Sequence, residues 1–329
     1  MKKPSQFRHY RHVVAGLMFV VGCTAAFAQR AGRRNIDREL PPPDAANLSY
    51  GSHERNVLDL WLAEQPGRRP LVIYFHGGGF RQGDKRSLSP FLLEECRRRG
   101  ISVAAANYRY AWQAPFPAPM HDGGRAIQFL RANARKWHLD SKLFAATGGS
   151  AGAGISLWLG FHEDLADAKA EDPIARESTR LTAMAVSGAQ STYDIPLIRD
   201  MIGGRAWEHP ALLGIYGITA DEIESPKAQR LYDEAAPIKH LTADDPPVFL
   251  FYYEPKKAPP ADAPVGKGIH HPRFGAHLGA RLDELGIDYI NVHRDEYLAR
   301  GLKPDDVLDA VERDMVAFLS RQFEIAGNR

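Results

Sequence analysis

Short runs of consecutive apolar residues, separated by longer amphipathic stretches, recur along the chain from residue 57 onward. Such continuous runs are typical of strands buried on both faces of a parallel sheet, and the stretches between them have helical spacing. The alternation predicts an α/β domain with a doubly wound, mostly parallel sheet. The predicted strands are 56–63, 71–75, 101–106, 143–146, 181–186, 248–253 and 287–293, and the main predicted helices are 89–99, 120–137, 274–285 and 305–323.

The first 28 residues have a different pattern, with four basic residues followed by a short apolar run and the A-x-A sequence Ala26-Phe27-Ala28. This is the organisation of a secretory signal peptide, and the apolar run is too short to span a bilayer. A second interpretation is a lipobox, in which Cys23 is lipidated and becomes the mature N-terminus. Both interpretations predict a periplasmic or secreted protein without an integral membrane span.

The rest of the chain is predicted to form two regions, and the second of them contains an insertion. Residues 29–49 include Pro41-Pro42-Pro43 and have no core pattern, so they are predicted to be a leader or linker. Residues 50–325 are predicted to form the α/β domain. Within it, 194–236 lacks strands and contains many glycines and prolines, which indicates a helical insertion or lid over the site, or alternatively a connecting region.

Composition changes this picture only slightly. The chain has 329 residues, of which 44% are hydrophobic and 25% are charged, as in ordinary globular proteins. Four of the 42 Lys and Arg and none of the 40 Asp and Glu lie in residues 1–28, so cleavage there changes the net charge from +2 to −2. The basic character of the whole chain therefore gives no indication of nucleic-acid binding. Cys96, in a predicted helix, is interpreted as a small core residue.

The segment Gly148-Gly149-Ser150-Ala151-Gly152 follows a predicted strand and leads into a predicted helix. The G-x-S-x-G pattern in that context is a nucleophile elbow, in which a sharp turn exposes a serine hydroxyl at a helix N-terminus. Upstream, His76-Gly77-Gly78-Gly79 follows the strand 71–75. A glycine-rich loop in this place can direct backbone N–H groups towards a developing oxyanion.

Together with Gly83-Asp84-Lys85, Asn107-Tyr108-Arg109, Pro115-Phe116-Pro117 and Asp122, these motifs resemble an α/β-hydrolase of the hormone-sensitive-lipase and bacterial feruloyl/acetyl esterase type. The resemblance covers residues 70–160 closely, and the C-terminal half only in the order of its elements. It implies hydrolysis of a carboxylic ester through an acyl-enzyme on Ser150. It also implies an oxyanion hole made by Gly77, Gly78 and Gly79, above all the last two, together with Ala151. His76 is expected to brace the loop.

The acid of the triad is expected after the next-to-last strand. In this chain Lys256 occupies the place where the family has an aspartate, and the carboxylates within reach are Glu254 and Asp262. Both remain candidates for the catalytic acid, and either could be a solvated loop charge.

The histidine of the triad is expected after the last strand, where this chain has Arg300. An arginine stays protonated and cannot be a general base. His293, at the end of the last predicted strand, is the candidate that replaces it, and His270 and His271 in the preceding loop are a third possibility. The adjacent histidines also suggest metal binding, although no cysteine or second acidic cluster accompanies them.

Two functions of different classes follow from these observations. The first is an exported serine carboxylesterase that acts on a small or polysaccharide-linked ester and needs no cofactor or metal. The second is a catalytically degraded α/β-hydrolase fold that binds a ligand or partner in the pocket where an active enzyme would bind its substrate. An imidazole within hydrogen-bond reach of Ser150 would favour the esterase, and its absence the binding protein. A peptidase is a third possibility, because the same triad cleaves amides.

Overall fold

A computed structural model describes residues 39–328. The predicted signal peptide at 1–28, Cys23 and the first part of the predicted leader lie outside the described residues. No helix within 39–328 combines the length and the apolar character that crossing a bilayer requires.

Eight strands of the described region form one open sheet in the order β1-β2-β4-β3-β5-β6-β7-β8. The first two strands pair antiparallel, β2 also runs antiparallel to β4, and every other pair is parallel. The sheet is therefore mostly parallel, which confirms the predicted fold class. The strands are β1 Ala45–Ser49, β2 Val57–Trp61, β3 Arg69–Phe75, β4 Ser102–Ala106, β5 Leu139–Gly149, β6 Ala183–Ser187, β7 Val248–Tyr252 and β8 Tyr289–His293.

Helices connect the strands and cover both faces of the sheet. Many begin with a proline in the first turn, where the missing N–H has no helical partner. They are α1 Pro90–Arg98, α2 Ala118–Ala132, α3 Ala151–Phe161, α4 Ile195–Ile202, α5 Pro210–Tyr216, α6 Pro226–Ala235, α7 Pro237–His240, α8 Arg273–Leu285, α9 Arg294–Ala299 and α10 Val307–Gly327.

Alternation along β3 explains why both faces of the sheet are covered. Leu71, Ile73 and Phe75 are buried in one apolar cluster, and Val72 between them is buried in a second. Successive side chains of a strand point to opposite faces, so a strand with consecutive apolar residues needs helices on both sides. Cys96 of α1 is fully buried in the second cluster. This is the core position that the sequence indicates.

Two segments differ from the sequence predictions. The predicted leader 29–49 contains β1, which pairs with β2 at the edge of the sheet, so the folded domain includes residues before 50. Its side chains are exposed or half-buried, and for that reason the segment lacks an apolar pattern. The second difference is α9, a short helix that is capped at its N-terminus by His293, the residue where β8 ends.

The insertion predicted at 194–236 is helical and contains α4, α5 and α6. It packs on the domain through Phe116, whose backbone N–H donates to the carbonyl of Ile215. The ring of Tyr216 also meets the Phe116 ring edge to face. His209 and Ala211 of the insertion line one pocket with Ser150, so the insertion lies at the end of the sheet where β5 finishes. That the insertion opens and closes as a lid over the site stays a prediction.

Candidate active site

Ser150 lies between β5 and α3 in a strained backbone conformation, with φ of 54° and ψ of −119°. A non-glycine residue with positive φ is uncommon and persists only where surrounding structure holds it. Here the backbone N–H of Ser150 donates to Ser187 O at 3.0 Å, and its carbonyl accepts from Gly154 at the same distance. The turn places the hydroxyl at the start of a helix, as in a nucleophile elbow.

The glycines of the elbow are required because backbone passes close by. A Cβ on Gly152 would lie 1.9 Å from the carbonyl oxygen of Phe75, and one on Gly148 would lie 2.5 Å from the same oxygen. Strand β3, strand β5 and helix α3 can therefore approach this closely only with glycine at both positions.

His270 reaches the nucleophile: its Nε2 lies 2.9 Å from Ser150 Oγ. The histidine belongs to the loop between β7 and α8, and the side chain of Gln190 supports that loop. Gln190 Nε2 donates to the carbonyl of Ile269 at 2.6 Å. A serine hydroxyl and an imidazole at this separation have the geometry that a general base requires. His270 was only the third possibility in the sequence analysis.

Two oxygen atoms face the other nitrogen of His270. The Tyr253 hydroxyl lies 3.1 Å from Nδ1, and Glu254 Oε1 lies 3.5 Å from it. If Nε2 accepts the proton of Ser150, Nδ1 carries the hydrogen and donates towards these oxygens. Hydrogen bonds between catalytic groups are often long in the absence of substrate, so the Glu254 distance is compatible with an orienting acid.

Glu254 is buried, with 7% of its surface exposed, and lies just after β7. Burial alone would raise the pKa of its carboxyl. The hydrogen bond from His270 and the charges of His270 and Lys267 outweigh that effect and lower the pKa below its usual value. The carboxylate is therefore ionised at neutral pH and can stabilise an imidazolium.

The prediction that His293 is the partner of Ser150 is wrong, because its ring is bonded elsewhere. Nε2 of His293 lies 2.7 Å from the backbone carbonyl of Glu254, to which it donates. Its Nδ1 accepts from the N–H of Asp295 and so caps α9. Both ring nitrogens are occupied, and His293 contacts Glu254 instead of Ser150.

Of the two candidate acids, only Glu254 is brought to the histidine. Asp262 is an exposed residue of the loop, whereas the Glu254 carboxylate contacts His270 Nδ1. His271, the neighbour of His270, accepts the N–H of Arg273 with its Nδ1 at the start of α8. The two adjacent histidines therefore have different partners, and of the two only His270 contacts Ser150.

The glycine loop after β3 lies against the elbow. A Cβ on Gly77 would be 3.0 Å from Gly149 O and 3.7 Å from the Ser150 Cβ. Gly78 and Gly79 have positive φ of 112° and 60°, and a Cβ on Gly78 would collide with Gln82 O at 2.0 Å. Glycine is thus required for this path of the loop.

His76 holds the glycine loop after β3 in place. Its Nδ1 donates to the carbonyl of Gly77 at 2.7 Å, Nε2 accepts from Arg55, and the ring stacks on Tyr108 at 4.3 Å. Burial lowers the pKa of His76 to about 4, against a smaller opposing effect of the Gly77 bond. The imidazole is neutral and fully engaged, so the structure gives it the bracing position that the sequence analysis expects.

A small pocket of about 20 Å³ opens beside Ser150, between Gly79 and Ala151. The insertion contributes His209, Ala211 and Leu212 to its wall. Burial, followed by the charge of His270, lowers the pKa of His209 to about 4. Its Nδ1 accepts the N–H of Ala211, so the neutral ring carries its proton on Nε2.

No sequence motif identifies His209, Gln190 or Tyr253 as residues of the site. Tyr253 had a detectable signal, since it directly precedes the candidate acid at the end of a predicted strand. Gln190 and His209 come from loops without regular spacing, and only the tertiary fold brings them to the serine.

These elements define an α/β-hydrolase fold, with an elbow serine, a histidine in contact with it and a glycine loop at one end of a mostly parallel sheet. The chain belongs to the BD-FAE family, whose model matches residues 58–258. The match includes the glycine loop, Ser150 and Glu254, and ends before His270.

Relatives and solved structures agree with this assignment. The chain is 26% identical over 212 residues to the probable carboxylic ester hydrolase LipM of Mycobacterium tuberculosis, which covers 63% of this chain and 46% of that protein. It is 27% identical over 237 residues to the esterase LipQ of the same organism, covering 69% and 53%. The chain thus spans about half the length of these curated relatives.

Among solved structures, the fold is similar to an acetyl ester-xyloside bifunctional hydrolase from Caldicellulosiruptor lactoaceticus. The TM-score is 0.64 at 18% identity, and the match covers 88% of this chain and 98% of that one. A truncated carbohydrate esterase from gut microbiota has the same TM-score at 19% identity, covering 86% and 99%.

Proposed function

We propose that this protein is a serine carboxylesterase that forms an acyl-enzyme on Ser150. The observation that carries the proposal is the 2.9 Å separation between Ser150 Oγ and His270 Nε2. The alternative of a degraded binding protein was favoured by the absence of a triad histidine at its expected place. An imidazole from another loop contacts the serine, which removes the reason for that alternative.

In the proposed reaction, Ser150 Oγ attacks the ester carbonyl while its proton passes to His270 Nε2. Glu254 stabilises the imidazolium through Nδ1, and N–H groups of Gly78, Gly79 and Ala151 hold the oxyanion. The tetrahedral intermediate then collapses, and His270 returns the proton to the leaving alcohol. A water molecule, activated by the same histidine, releases the acid and restores the Ser150 hydroxyl.

We further propose a short acyl group, of which acetyl is the best fit. The pocket volume of about 20 Å³ corresponds to roughly one water-sized group, close to the methyl of an acetate ester. Phe80, Tyr193 and Ile269 complete an apolar wall around it. The structurally similar carbohydrate esterase and acetyl ester-xyloside hydrolase support a carbohydrate-linked acetyl ester as the substrate.

We also propose that the enzyme is exported, on the basis of the basic and apolar pattern of residues 1–28. Mass spectrometry of the protein recovered from the periplasm distinguishes the two processing routes. Cleavage after Ala28 gives Gln29 at the N-terminus, and lipoprotein processing gives an acylated Cys23. A cytoplasmic protein with residues 1–28 intact would contradict export.

The adjacent histidines offer a matched test of the esterase. We expect hydrolysis of p-nitrophenyl acetate near pH 8 to fall by about 10⁴- to 10⁶-fold in Ser150→Ala and in His270→Gln. His271→Gln, the neighbouring control, should retain activity within about 10-fold. A fluorophosphonate should label Ser150 in the wild type. Wild-type activity no higher than that of Ser150→Ala would reject the proposal.

A further inference from the structure

A second cluster of side chains lies at the far end of α3, the helix that begins after Ser150. His162 follows its last residue, and Glu234 of α6 and His240 of α7 approach it from the other side. One ligand atom from each of the three residues lies within 4.8 Å of the other two. About 18 Å separates this cluster from the nucleophile, given twelve residues at 1.5 Å each. It is therefore independent of the ester-binding site.

The hydrogen bonds of His162 leave a lone pair directed at a carboxylate. Nδ1 of His162 lies 3.0 Å from the carbonyl of Glu163, to which it donates its hydrogen. In the neutral ring Nε2 then has no hydrogen, yet it lies 3.3 Å from Glu234 Oε1. Two acceptors that face each other require a cation between them, which is either a second proton on the ring, as in an ion pair with Glu234, or a metal ion.

His240, like His162, has one ring nitrogen bonded to a backbone carbonyl. Its Nε2 donates to the backbone carbonyl of Glu234 at 2.7 Å, which leaves the Nδ1 lone pair available. Histidines that bind metals nearly always donate their second N–H to a carbonyl or carboxylate, which fixes the tautomer and the ring. Both histidines of the cluster donate to a backbone carbonyl in this manner.

The 3.3 Å separation of His162 Nε2 and Glu234 Oε1 also fits a shared ion. Ligands about 2.0–2.1 Å from a tetrahedral zinc ion lie about 3.4 Å from each other. Trp158 keeps the cluster in place. Its indole stacks on the His162 ring with centroids 4.0 Å apart, and its Nε1 donates to the Glu234 carbonyl at 2.9 Å.

We propose that His162, Glu234 and His240 bind one divalent transition-metal ion, with Zn²⁺ as the best fit. Imidazole ligands favour zinc over calcium and magnesium, which prefer oxygen ligands. The Glu234 side chain is 54% exposed, so water completes the coordination from the solvent side. The ion links α3 to the end of the α6–α7 segment and thereby stabilises the packing of the insertion on the domain.

The test uses the mature protein without a histidine tag, stripped with EDTA and dialysed, and titrated with Zn²⁺ by calorimetry. We expect binding of one ion by the wild type and by the control His138→Asn, which removes an exposed histidine elsewhere. Affinity should fall at least about 10-fold in Glu234→Gln and about 100-fold or more in the double variant His162→Gln/His240→Gln. Ester hydrolysis and circular dichroism verify that each variant is folded.

The absence of Zn²⁺ binding by the wild type would overturn the proposal. Equal binding by the double variant would also overturn it, because the ion would then lie elsewhere. A second measurement on the wild type does not depend on the folding of any variant. Co²⁺ in the proposed site should give the intense visible absorption of tetrahedral coordination, and a weak octahedral spectrum would contradict the assignment.

Discussion

Nε2 of His293 donates a hydrogen bond to the backbone carbonyl of Glu254 over 2.7 Å, and this contact joins the end of β8 to the residue that follows β7 closely. The histidine at the end of the last strand thus supports the proposed acid, whereas His270 in the preceding loop contacts the nucleophile. The two roles can be separated by experiment.

His293→Asn should leave most of the activity in place. Asparagine can still cap α9, but it is too short to keep the contact with the Glu254 carbonyl. We expect kcat to fall less than about 10-fold and the free energy of unfolding to fall by about 1–3 kcal/mol. Urea unfolding and steady-state kinetics measure both. A loss of activity as large as that of His270→Gln would show that His293 transfers the proton.

The two candidate acids differ in burial and contact, so their variants should differ strongly. Glu254→Gln removes the charge that stabilises the His270 imidazolium, and kcat should fall by about 10²- to 10⁴-fold. Asp262→Asn alters an exposed loop charge and should change kcat less than about 2-fold. Equal effects of the two substitutions on p-nitrophenyl acetate hydrolysis would contradict the assignment of Glu254.

The narrow pocket predicts a preference for short acyl chains. We expect kcat/KM to fall at least about 10-fold from p-nitrophenyl acetate to the butyrate. Leu212→Ala enlarges the pocket and should shift the preference towards butyrate. Leu213→Ala, the adjacent residue of α5, is the control and should leave the preference unchanged. Higher wild-type activity on octanoate than on acetate would rule out the short-acyl proposal.

Replacement of glycine by alanine should impair catalysis at position 78 and should be tolerated at position 214. Gly78→Ala places a Cβ at 2.0 Å from Gln82 O and distorts the proposed oxyanion loop. The loss of one oxyanion donor costs about 10²- to 10³-fold in kcat. Gly214→Ala lies inside α5 with its nearest contact at 3.7 Å, so the thermal stability should stay the same or rise. Full activity of Gly78→Ala would exclude this loop from the oxyanion hole.

His76 predicts a specific dependence of stability on pH. Its pKa falls from an ordinary value of 6.5 to about 4 on folding, chiefly through burial. Between these values the unfolded chain binds a proton that the folded chain does not, so stability decreases as the pH falls from 6.5 to 4. The contribution is at most about 3.5 kcal/mol, at about 1.4 kcal/mol per pKa unit.

Urea unfolding of the wild type and of two variants over this pH range tests the assignment. His76→Gln should show a smaller decrease than the wild type, and His138→Asn should show the same decrease. His209, whose pKa is also about 4, adds to the wild-type effect in the same direction. An identical slope in His76→Gln would exclude His76 as a source of the pH dependence.

The sheet, the elbow and the glycine loop could be predicted because each is encoded by adjacent residues. Apolar runs define buried strands, and Gly148 to Gly152 contains its own turn chemistry. The histidine could not be located in this way, because His270 lies in a loop without regular structure, sixteen residues after Glu254. Its position depends on Gln190 and Tyr253, which are distant from Ser150 along the chain. Strand β1 was missed because an edge strand with exposed side chains carries no apolar signal.

Glu254 and His270 lie on one loop, whereas the sequence analysis expected the histidine after the last strand. Glu254 is followed in this loop by Pro255, Lys256 and Lys257, which are exposed to solvent. A protease specific for lysine could therefore cut between the proposed acid and base without removing any strand from the sheet. Such a cut would leave a folded protein with an intact Ser150, but Glu254 and His270 would no longer be joined through one continuous loop. The activity of the proposed triad therefore depends on how well this loop resists proteolysis.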